Sequence, residues 1–445
     1  MTKNHLPFSS LAQKLLADLA DGNCVSISGL SNSGKSMLMR SLASEAAEEI
    51  YSKEADRSGF LVYIDCNRAV ANSAQAFYEV VLRSIIERLT KNVPAKLLAD
   101  IQEYHLSITE AETSFRASLS FNLALSDLCE QLDRNLCLLF DEFDEIYVAL
   151  DDRALLNLRA LRDRFHTRLV YATATLHSLP QLRSKNIEDE FAEMFSRFTY
   201  NMPLLISTEA AEILKNLNFP SLTGKRKELC MELSGGHPGL LVAVAQALSG
   251  LPKNYEGDME EAVLLEPQPR AECLKIWSQI DEDDRAIMIA LVIDANAGIP
   301  QQQLRHVKAI GLVVDGKPFS PIFSDFVGRK GRGSHVETEG VYLDSDSGDV
   351  WVDGIRIPVL TDLEFRLLEL LYLRRDKLTD KYRIVTSVWG EDYLGQVDDA
   401  RVEKLISRLR SKIEPDPAKP RYLITRRGRG YKLLTAPMAT ESLNP

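Results

Sequence analysis

The sequence predicts a multidomain chain: a three-layer α/β domain on a parallel sheet, then helical segments, then a small α+β module. Three observations predict it. Over the first 205 or so residues short apolar runs alternate with amphipathic stretches, and from about 206 to 265 the apolar spacing turns helical. Between about 338 and 435 the order is hairpin, three helices, hairpin. Apolar runs bounded by turns and separated by amphipathic stretches are the pattern of buried parallel strands with crossover helices. Such strands lie between two layers of helices.

The runs are Val25–Ser28, Phe60–Ile64, Leu136–Phe140 and Leu169–Ala172. Directly after the first comes Gly29-Leu-Ser-Asn-Ser-Gly34-Lys35-Ser36, which satisfies GxxxxGK[ST] and leads into the helical stretch Met37–Ala43. The glycines let the backbone wrap a phosphate, while free N–H groups and the helix N-terminus attract its charge. Gly29, Ser31, Asn32, Ser33, Gly34, Lys35, Ser36 and Met37 are therefore the candidate nucleotide cradle. Lys35 would reach the β- and γ-phosphates, and the Ser36 hydroxyl would coordinate Mg²⁺.

The third run ends in Asp141-Glu142. An apolar strand that delivers an acid to its C-terminal edge suits a Mg²⁺-binding carboxylate, Asp141, with Glu142 placed to polarise an attacking water. The plainer alternative is an acidic loop, since Asp144 and Glu145 crowd there too; Asp65, at the end of the second run, is a weaker metal candidate. In Leu169-Val-Tyr-Ala-Thr173-Ala-Thr175 either threonine could sense a γ-phosphate, or serve only as a β-branched strand residue. Arg197 offers either a charge-stabilising arginine or an ordinary surface one. No guanine-reading NKxD pattern occurs, which favours ATP.

The chain has 445 residues, 45% hydrophobic and 26% charged, enough for several cores. Its net charge of −11 argues against a protein coated in nucleic acid but leaves room for one basic module. There is no apolar stretch of membrane-spanning length and no signal-like start. The six cysteines form no CxxC pair and no metal-ligand spacing with histidine. The expectation is a soluble, reducing, cytoplasmic setting without membrane contact.

Further along, Gly235-Gly-His-Pro-Gly239 interrupts the helical region, Asp281-Glu-Asp-Asp284 looks like a helix cap, and Gly311–Gly316 reads as strand and turn. The segment Gly328-Arg-Lys-Gly-Arg-Gly-Ser334 reads as a linker. The phosphate loop, Asp141-Glu142, the threonine-bearing strand, Arg197 and Ser234-Gly-Gly-His-Pro238 stand in the order found in STAND-type ATPases of the AAA+-related class. The resemblance covers about residues 10–330. It implies an α/β P-loop NTPase domain over 1–205, a helical lid over 206–268 and a winged-helix piece over 269–328, with 329–337 as linker. It also implies that Pro238 lies against the adenine, with His237 beside it. The family's Gly-Arg element near the N-terminus is missing; Leu6-Pro-Phe-Ser stands in that region.

The last module carries a capping box, Thr361 to Glu364, before an apolar helical stripe. A second helix, Asp380 to Val388, leads to Trp389-Gly390, and a third starts at Asp398. The third puts Val402, Leu405, Ile406, Leu409 and Ile413 on one face and Arg401, Lys404 and Arg408 on the other. A hairpin with a basic tip, Tyr422 to Leu433, follows. Residues 398–432 hold eleven Lys/Arg against five Asp/Glu, a net of +6 that leaves −17 for the rest. That asymmetry fits a local phosphate-binding footprint, with one helix in a major groove and the hairpin on the backbone or minor groove.

The module, 338–437, closely resembles the C-terminal α+β winged helix-turn-helix domain of OmpR/PhoB-type response regulators. The resemblance rests on Leu-Thr-x-x-Glu-Phe, Val-Trp-Gly, Ser-Arg-Leu-Arg and Arg-Gly-x-Gly-Tyr. It implies that Arg401, Lys404 and Arg408 lie on a recognition helix and Thr425, Arg427 and Arg429 on a wing, facing double-stranded DNA. The loop Trp389 to Val397 corresponds to the segment that touches RNA polymerase in such activators. No phosphoryl-receiver domain precedes the module, so no aspartate is given a phosphoacceptor role. Together the two resemblances imply an ATP- and Mg²⁺-dependent, nucleotide-switched transcription regulator, a slow ATPase that assembles as a homo-oligomer or frees its terminal module when ATP binds. The alternatives are an ATP-driven DNA-remodelling or loading enzyme and a signalling or defence ATPase that binds DNA only as a ligand.

Overall fold

The computed structural model describes every residue except 1–5, 90–93, 184–188, 218, 220, 253–254, 256, 294–298, 335–339, 345–348, 354, 359, 391–398, 427 and 435–445. The chain divides into two compact units, residues 1–284 with 299–322 and residues 285–298 with 323–445. Residues 269–328, expected to form a winged piece of their own, are apportioned between the two.

The first unit is built on a five-stranded sheet: β1 (Val25–Ser28), β2 (Gly59–Asp65), β3 (Asn135–Asp141), β4 (Leu169–Thr175) and β5 (Thr199–Asn201), in the order β2-β3-β4-β1-β5. Every pairing is parallel. β1, β3 and β4 are buried at each position, as strands covered on both faces must be. Each of the four apolar runs is a strand. β5 was not expected, for its three residues are half-buried at best and carry no apolar run. β4 lies between β1 and β3, so the chain leaves β1 into the phosphate loop one strand away from where β3 delivers Asp141. In open parallel sheets this carboxyl edge is where ligands sit.

The acid-bearing end of β3 is braced by aromatic rings. Phe140 lies 5.4 Å from Phe77 and 5.3 Å from Phe143, and Phe143 lies 5.6 Å from Tyr147. Such pairs add about 0.5–1.5 kcal/mol each beyond the area they bury. After the sheet come the helices Ser207–Asn216, Lys225–Ser234, Pro238–Gly250 and Pro267–Ser278, the last packed against Pro238–Gly250. Asp281 caps the helix Glu282–Ile293 through a 2.8 Å bond from the Asp284 amide, as its sequence position suggested.

The segment 328–334 is not a linker. It is the second half of the helix Pro321–Ser334. Read locally, its glycines and basic residues favour a coil. In the fold, buried Phe323, Phe326 and Val327 anchor the first turns, Arg329 pairs with Asp325 one turn back at 2.6 Å, and Gly331 backs onto Ile289 and Ile293.

The C-terminal module has a three-stranded antiparallel sheet, β8 (Val341–Asp344), β9 (Asp349–Val352) and β10 (Ile355–Arg356). The helices Asp362–Leu373, Lys381–Val388 and Asp399–Ile413 follow, then a hairpin of β11 (Leu423–Arg426) and β12 (Gly430–Leu433). (β6, Val313–Val314, and β7, Lys317–Pro318, form a short hairpin in the first unit.) The capping box is present, with the Thr361 amide donating to Glu364 at 2.9 Å. Glu364 is buried and also pairs with Lys412 of the third helix at 2.7 Å, which ties the first helix to the third. At the other end of that helix, buried Glu414 accepts the amides of Arg421, Tyr422 and Leu423, fixing the entry to the hairpin.

Thr379 and Tyr431 exchange backbone hydrogen bonds of 2.8 and 2.9 Å, which dock the hairpin on the turn before the second helix. Gly430 makes that approach possible: its φ is +125°, and a Cβ there would lie 2.2 Å from the Thr379 carbonyl oxygen. Gly430→Ala should therefore destabilise this unit by roughly 2–4 kcal/mol. Denaturation of the full chain, followed by Trp351 and Trp389 fluorescence with Trp277 replaced by Phe, checks this; an unchanged midpoint refutes it.

Candidate nucleotide site and nucleic-acid interface

The phosphate loop turns directly from the buried strand β1 into the helix Lys35–Leu42. Lys35 is buried, and its ammonium donates to the carbonyls of Gly29 and Leu30 at 2.6 and 3.1 Å. Burial lowers its pKa, and the charges of Glu142, Asp144 and Asp141 oppose that shift. Such a cation gains from an added anion. The Ser36 hydroxyl lies 3.4 Å from a Glu142 carboxylate oxygen. Desolvation, and then the adjacent Asp141 charge, raise the Glu142 pKa above the ordinary carboxylate value. Glu142 has φ +50°, an uncommon conformation for a residue with a side chain, held just where β3 ends. The loop's Ser36 and the two acids are thus brought together as the sequence reading expected.

Asp141 is fully buried. One carboxylate oxygen accepts the Tyr63 hydroxyl at 2.7 Å, and Tyr63 in turn accepts from Arg40 at 3.1 Å. Sequence reasoning missed Tyr63 because only the β2–β3 register, which sets Tyr63 opposite Leu139 and Asp65 opposite Asp141, brings it there. The second Asp141 oxygen has no hydrogen-bond partner. Neither have Ser33 Oγ and His237 Nε2, both buried. His237 Nδ1 accepts the Leu240 amide at 3.3 Å, so Nε2 carries the ring proton; it faces the Ser31 backbone without reaching hydrogen-bond geometry. Two buried donors and one buried anionic acceptor left open cost about 1–3 kcal/mol each. A phosphate group with its Mg²⁺ has the complementary chemistry, so the residues present fit that group.

Pro238 opens the helix Pro238–Gly250 at its first position and reaches the loop: its Cγ lies 3.4 Å from where a Gly34 Cβ would be. Against the same face of Gly34 lies the ring of Phe8, 2.7 Å from that point. Phe8 is buried and left-handed at φ +51°, and the next amide, Ser9, donates to Glu209 of the helix Ser207–Asn216 at 3.0 Å. The N-terminal segment lacking Gly-Arg therefore approaches the loop through an aromatic ring instead.

Four further candidates lie on or beside the sheet. Thr173 is buried inside the sheet, its hydroxyl donating to Ser26 at 3.0 Å, so it does not face the loop. Thr175 stands at the edge, in register with Ser28, its carbonyl accepting the Gly29 amide at 3.1 Å; its hydroxyl donates to the His177 carbonyl at 2.6 Å. Arg197 is exposed just before β5, at the amino end of a strand parallel to β1. The loop follows the carboxyl end of β1, so Arg197 stands at the opposite edge of the sheet. Asp65 is spent on the Asn67 amide at 3.1 Å.

In the C-terminal module the helix Asp399–Ile413 buries Val402, Leu405, Ile406, Leu409 and Ile413 and leaves Arg401, Lys404 and Arg408 exposed. Thr425, Arg426 and Arg429 are exposed on the hairpin, while Arg427 and most of the loop Trp389 to Val397 lie outside the described residues. Arg410 connects the two elements: its guanidinium donates to the Leu423 carbonyl at 2.6 Å and to the Thr425 hydroxyl at 2.7 Å. Helix and hairpin thus present their basic groups as one rigid surface.

These features define a P-loop nucleotide domain joined to a winged-helix module. Comparison with known proteins gives the two parts their families: residues 8–175 match the AAA ATPase domain, and residues 358–433 match the C-terminal domain of transcriptional regulatory proteins. Curated relatives match the second part. The sensory transduction protein RegX3 of Mycobacterium tuberculosis is 41% identical over 98 residues, 22% of this chain and 42% of its own. The transcriptional regulatory protein YrkP of Bacillus subtilis is 41% identical over 90 residues, 20% of this chain and 38% of its own. The chain thus spans about two fifths of the length of these relatives. Among solved structures, a Walker-type ATPase of Pyrococcus abyssi aligns over 71% of this chain and 94% of its own at 16% identity, TM-score 0.43. The chain joins an AAA ATPase domain to a DNA-binding winged helix of the transcriptional-regulator type.

The His237 imidazole supplies a test of the first unit. Burial first, and the Lys35 charge second, lower its pKa from the ordinary 6.5 to about 4. The unfolded chain therefore takes up a proton that the folded one refuses, and stability falls as pH drops from 6.5 through about 4. The loss is on the order of 3 kcal/mol. His237→Asn keeps a helix-capping side chain but cannot titrate, so urea denaturation at about pH 7 and about pH 4.5 should show a smaller loss in the variant. Equal losses in both proteins would remove His237 from this role.

Proposed function

We propose that this chain is an ATP-dependent, nucleotide-switched, DNA-binding transcription regulator of the STAND type. The observation that carries this reading is that one chain holds both a phosphate loop ringed by unsatisfied buried polar groups and an exposed basic helix-and-hairpin surface. Gly29 to Met37 would cradle the phosphates, with Lys35 on the β- and γ-phosphates and Ser36 and Asp141 holding Mg²⁺. Pro238, with Phe8 opposite, would flank the base. Bound Mg²⁺ neutralises charge on the phosphates. Glu142, raised in pKa and next to Ser36, suits the general base for slow hydrolysis. Thr175 replaces Thr173 as the threonine at the loop edge. Arg197 cannot reach its own loop and would serve only across an ATP-dependent homo-oligomer. Arg401, Lys404 and Arg408 would read a major groove, and Thr425, Arg427 and Arg429 would follow the backbone. In that setting the loop from Trp389 is the surface for RNA polymerase, and the chain works in the cytoplasm; among the described residues no helix is long and apolar enough to cross a membrane.

Sites selected from random DNA, then footprinted with and without ATP, test the reading. ATP should change occupancy of the wild-type protein several-fold, and Lys35→Ala should abolish that response while keeping basal binding. Lys404→Ala should weaken binding and reduce the salt dependence by about one counterion. Equal occupancy with and without nucleotide would sink the switch. Turnover stimulated alike by any DNA sequence would instead favour a remodelling enzyme.

A further inference from the structure

The four unspecified positions of GxxxxGK[ST] are occupied here by Leu30, Ser31, Asn32 and Ser33. Two of them are gripped from far along the chain. The Gln279 side-chain oxygen accepts the Ser31 amide at 2.8 Å, and its nitrogen donates to the Ser31 hydroxyl at 2.6 Å. The Asn32 side-chain amide donates to both carboxylate oxygens of Glu272, at 2.9 and 3.0 Å. The Asn32 carbonyl accepts the Gly239 amide at 3.1 Å. Glu272 and Gln279 belong to the helix Pro267–Ser278 and its C-terminal cap, and Gly239 to the first turn of Pro238–Gly250. None of the three comes from the sheet.

Asn32 needs such support. Its φ of +58° is left-handed, a conformation that asparagine tolerates but does not prefer. Glu272 is 6% exposed, and a carboxylate is buried at a cost unless it is paired. Its recorded partners are Asn32 and, at 3.4 Å, Lys275. Gly239 makes room for it: a Cβ there would fall 2.2 Å from the nearer carboxylate oxygen and 2.7 Å from Asn32 Cβ. The contact is therefore packed from both sides.

We infer that Glu272 and Gln279 are positioning residues of the phosphate loop, making the filling of that loop and the docking of the helix Pro267–Ser278 one coupled equilibrium. This rests on the reading of the loop as a nucleotide site. A ligand that requires the loop in this form tightens the helix against it, and by linkage the docked helix tightens the ligand by the same factor. Gln279 lies three residues before Glu282, where the next helix begins.

The test uses the full chain, a fluorescent ATP analogue with Mg²⁺ for affinity, and hydrogen exchange with ATP and Mg²⁺ for docking. In the wild type, ATP should slow exchange at residues 29–36 and, by about tenfold, at residues 267–279. Glu272→Ala with Gln279→Ala should keep protection at 29–36, weaken nucleotide binding about tenfold and lose the protection at 267–279. Glu272→Gln, which keeps an acceptor for Asn32, should restore most of both. Loop protection in the wild type with no change at 267–279 would overturn this inference alone, as would wild-type affinity and helix protection in the double variant. No protection at 29–36 in the wild type would overturn the nucleotide reading as well.

Discussion

The bare face of Gly34 is the constraint on which the first unit depends. With φ +97° and no Cβ, it leaves room for the Phe8 ring, 2.7 Å from where that Cβ would be, and for Pro238. The N-terminal segment and the helical region after the sheet therefore meet on one residue of the phosphate loop. Phe8 is followed by Ser9, bonded to Glu209, and Pro238 by Gly239, bonded to Asn32. A side chain at position 34 would be strained at this φ and would press into the Phe8 ring, so the loop and the N-terminal segment over it are tied together.

The same economy governs polar groups. Buried ions in this unit are each placed beside a group that can answer them: Lys35 beside two carbonyls, Asp141 beside Tyr63, Glu272 beside Asn32. Among the described residues, three of the exceptions meet at the loop, where Ser33, Asp141 and His237 each leave an atom open; the others, on Tyr78, Arg83, Arg162, Arg168 and Ser249, belong to other parts of the unit. Buried polar groups are otherwise paired as a rule, so a cluster of open ones marks a ligand's place more sharply than the shape of a cleft does.

Much of this was legible in the sequence because it is local. The four apolar runs are strands, the loop motif sits between strand and helix, and the Thr361–Glu364 capping box forms as spelled. What was illegible is long-range or depends on strand register. Thr173 and Thr175 lie two apart and share a face of the buried strand β4, so the local pattern could not say which one stood level with the loop edge, and pairing with β1 decided it. The bonds from Ser31 and Asn32 span 248 and 240 residues, a separation over which no local pattern carries information. Local composition misled at 328–334, where Phe323, Phe326 and Val327 hold a glycine-rich segment in a helix. Arg197 stands away from its own loop for a topological reason: β5 adds to the sheet beside β1 and runs parallel to it, which sends the residue before β5 to the far edge.

The C-terminal module solves a different problem, holding like charges on one surface. Arg401, Lys404 and Arg408 repel one another on the helix, and the hairpin adds Arg426 and Arg429. Rigidity comes from groups that point away from that face. Glu364 anchors Lys412, Glu414 takes three hairpin amides, and Arg410 spends its guanidinium on Leu423 and Thr425. Removing any of these would leave the basic residues in place and loosen the surface that carries them. Phosphate contacts position a protein on a duplex, and ordering the groups that make them costs free energy on binding, so inward pairs that fix the spacing of these charges beforehand lower that cost.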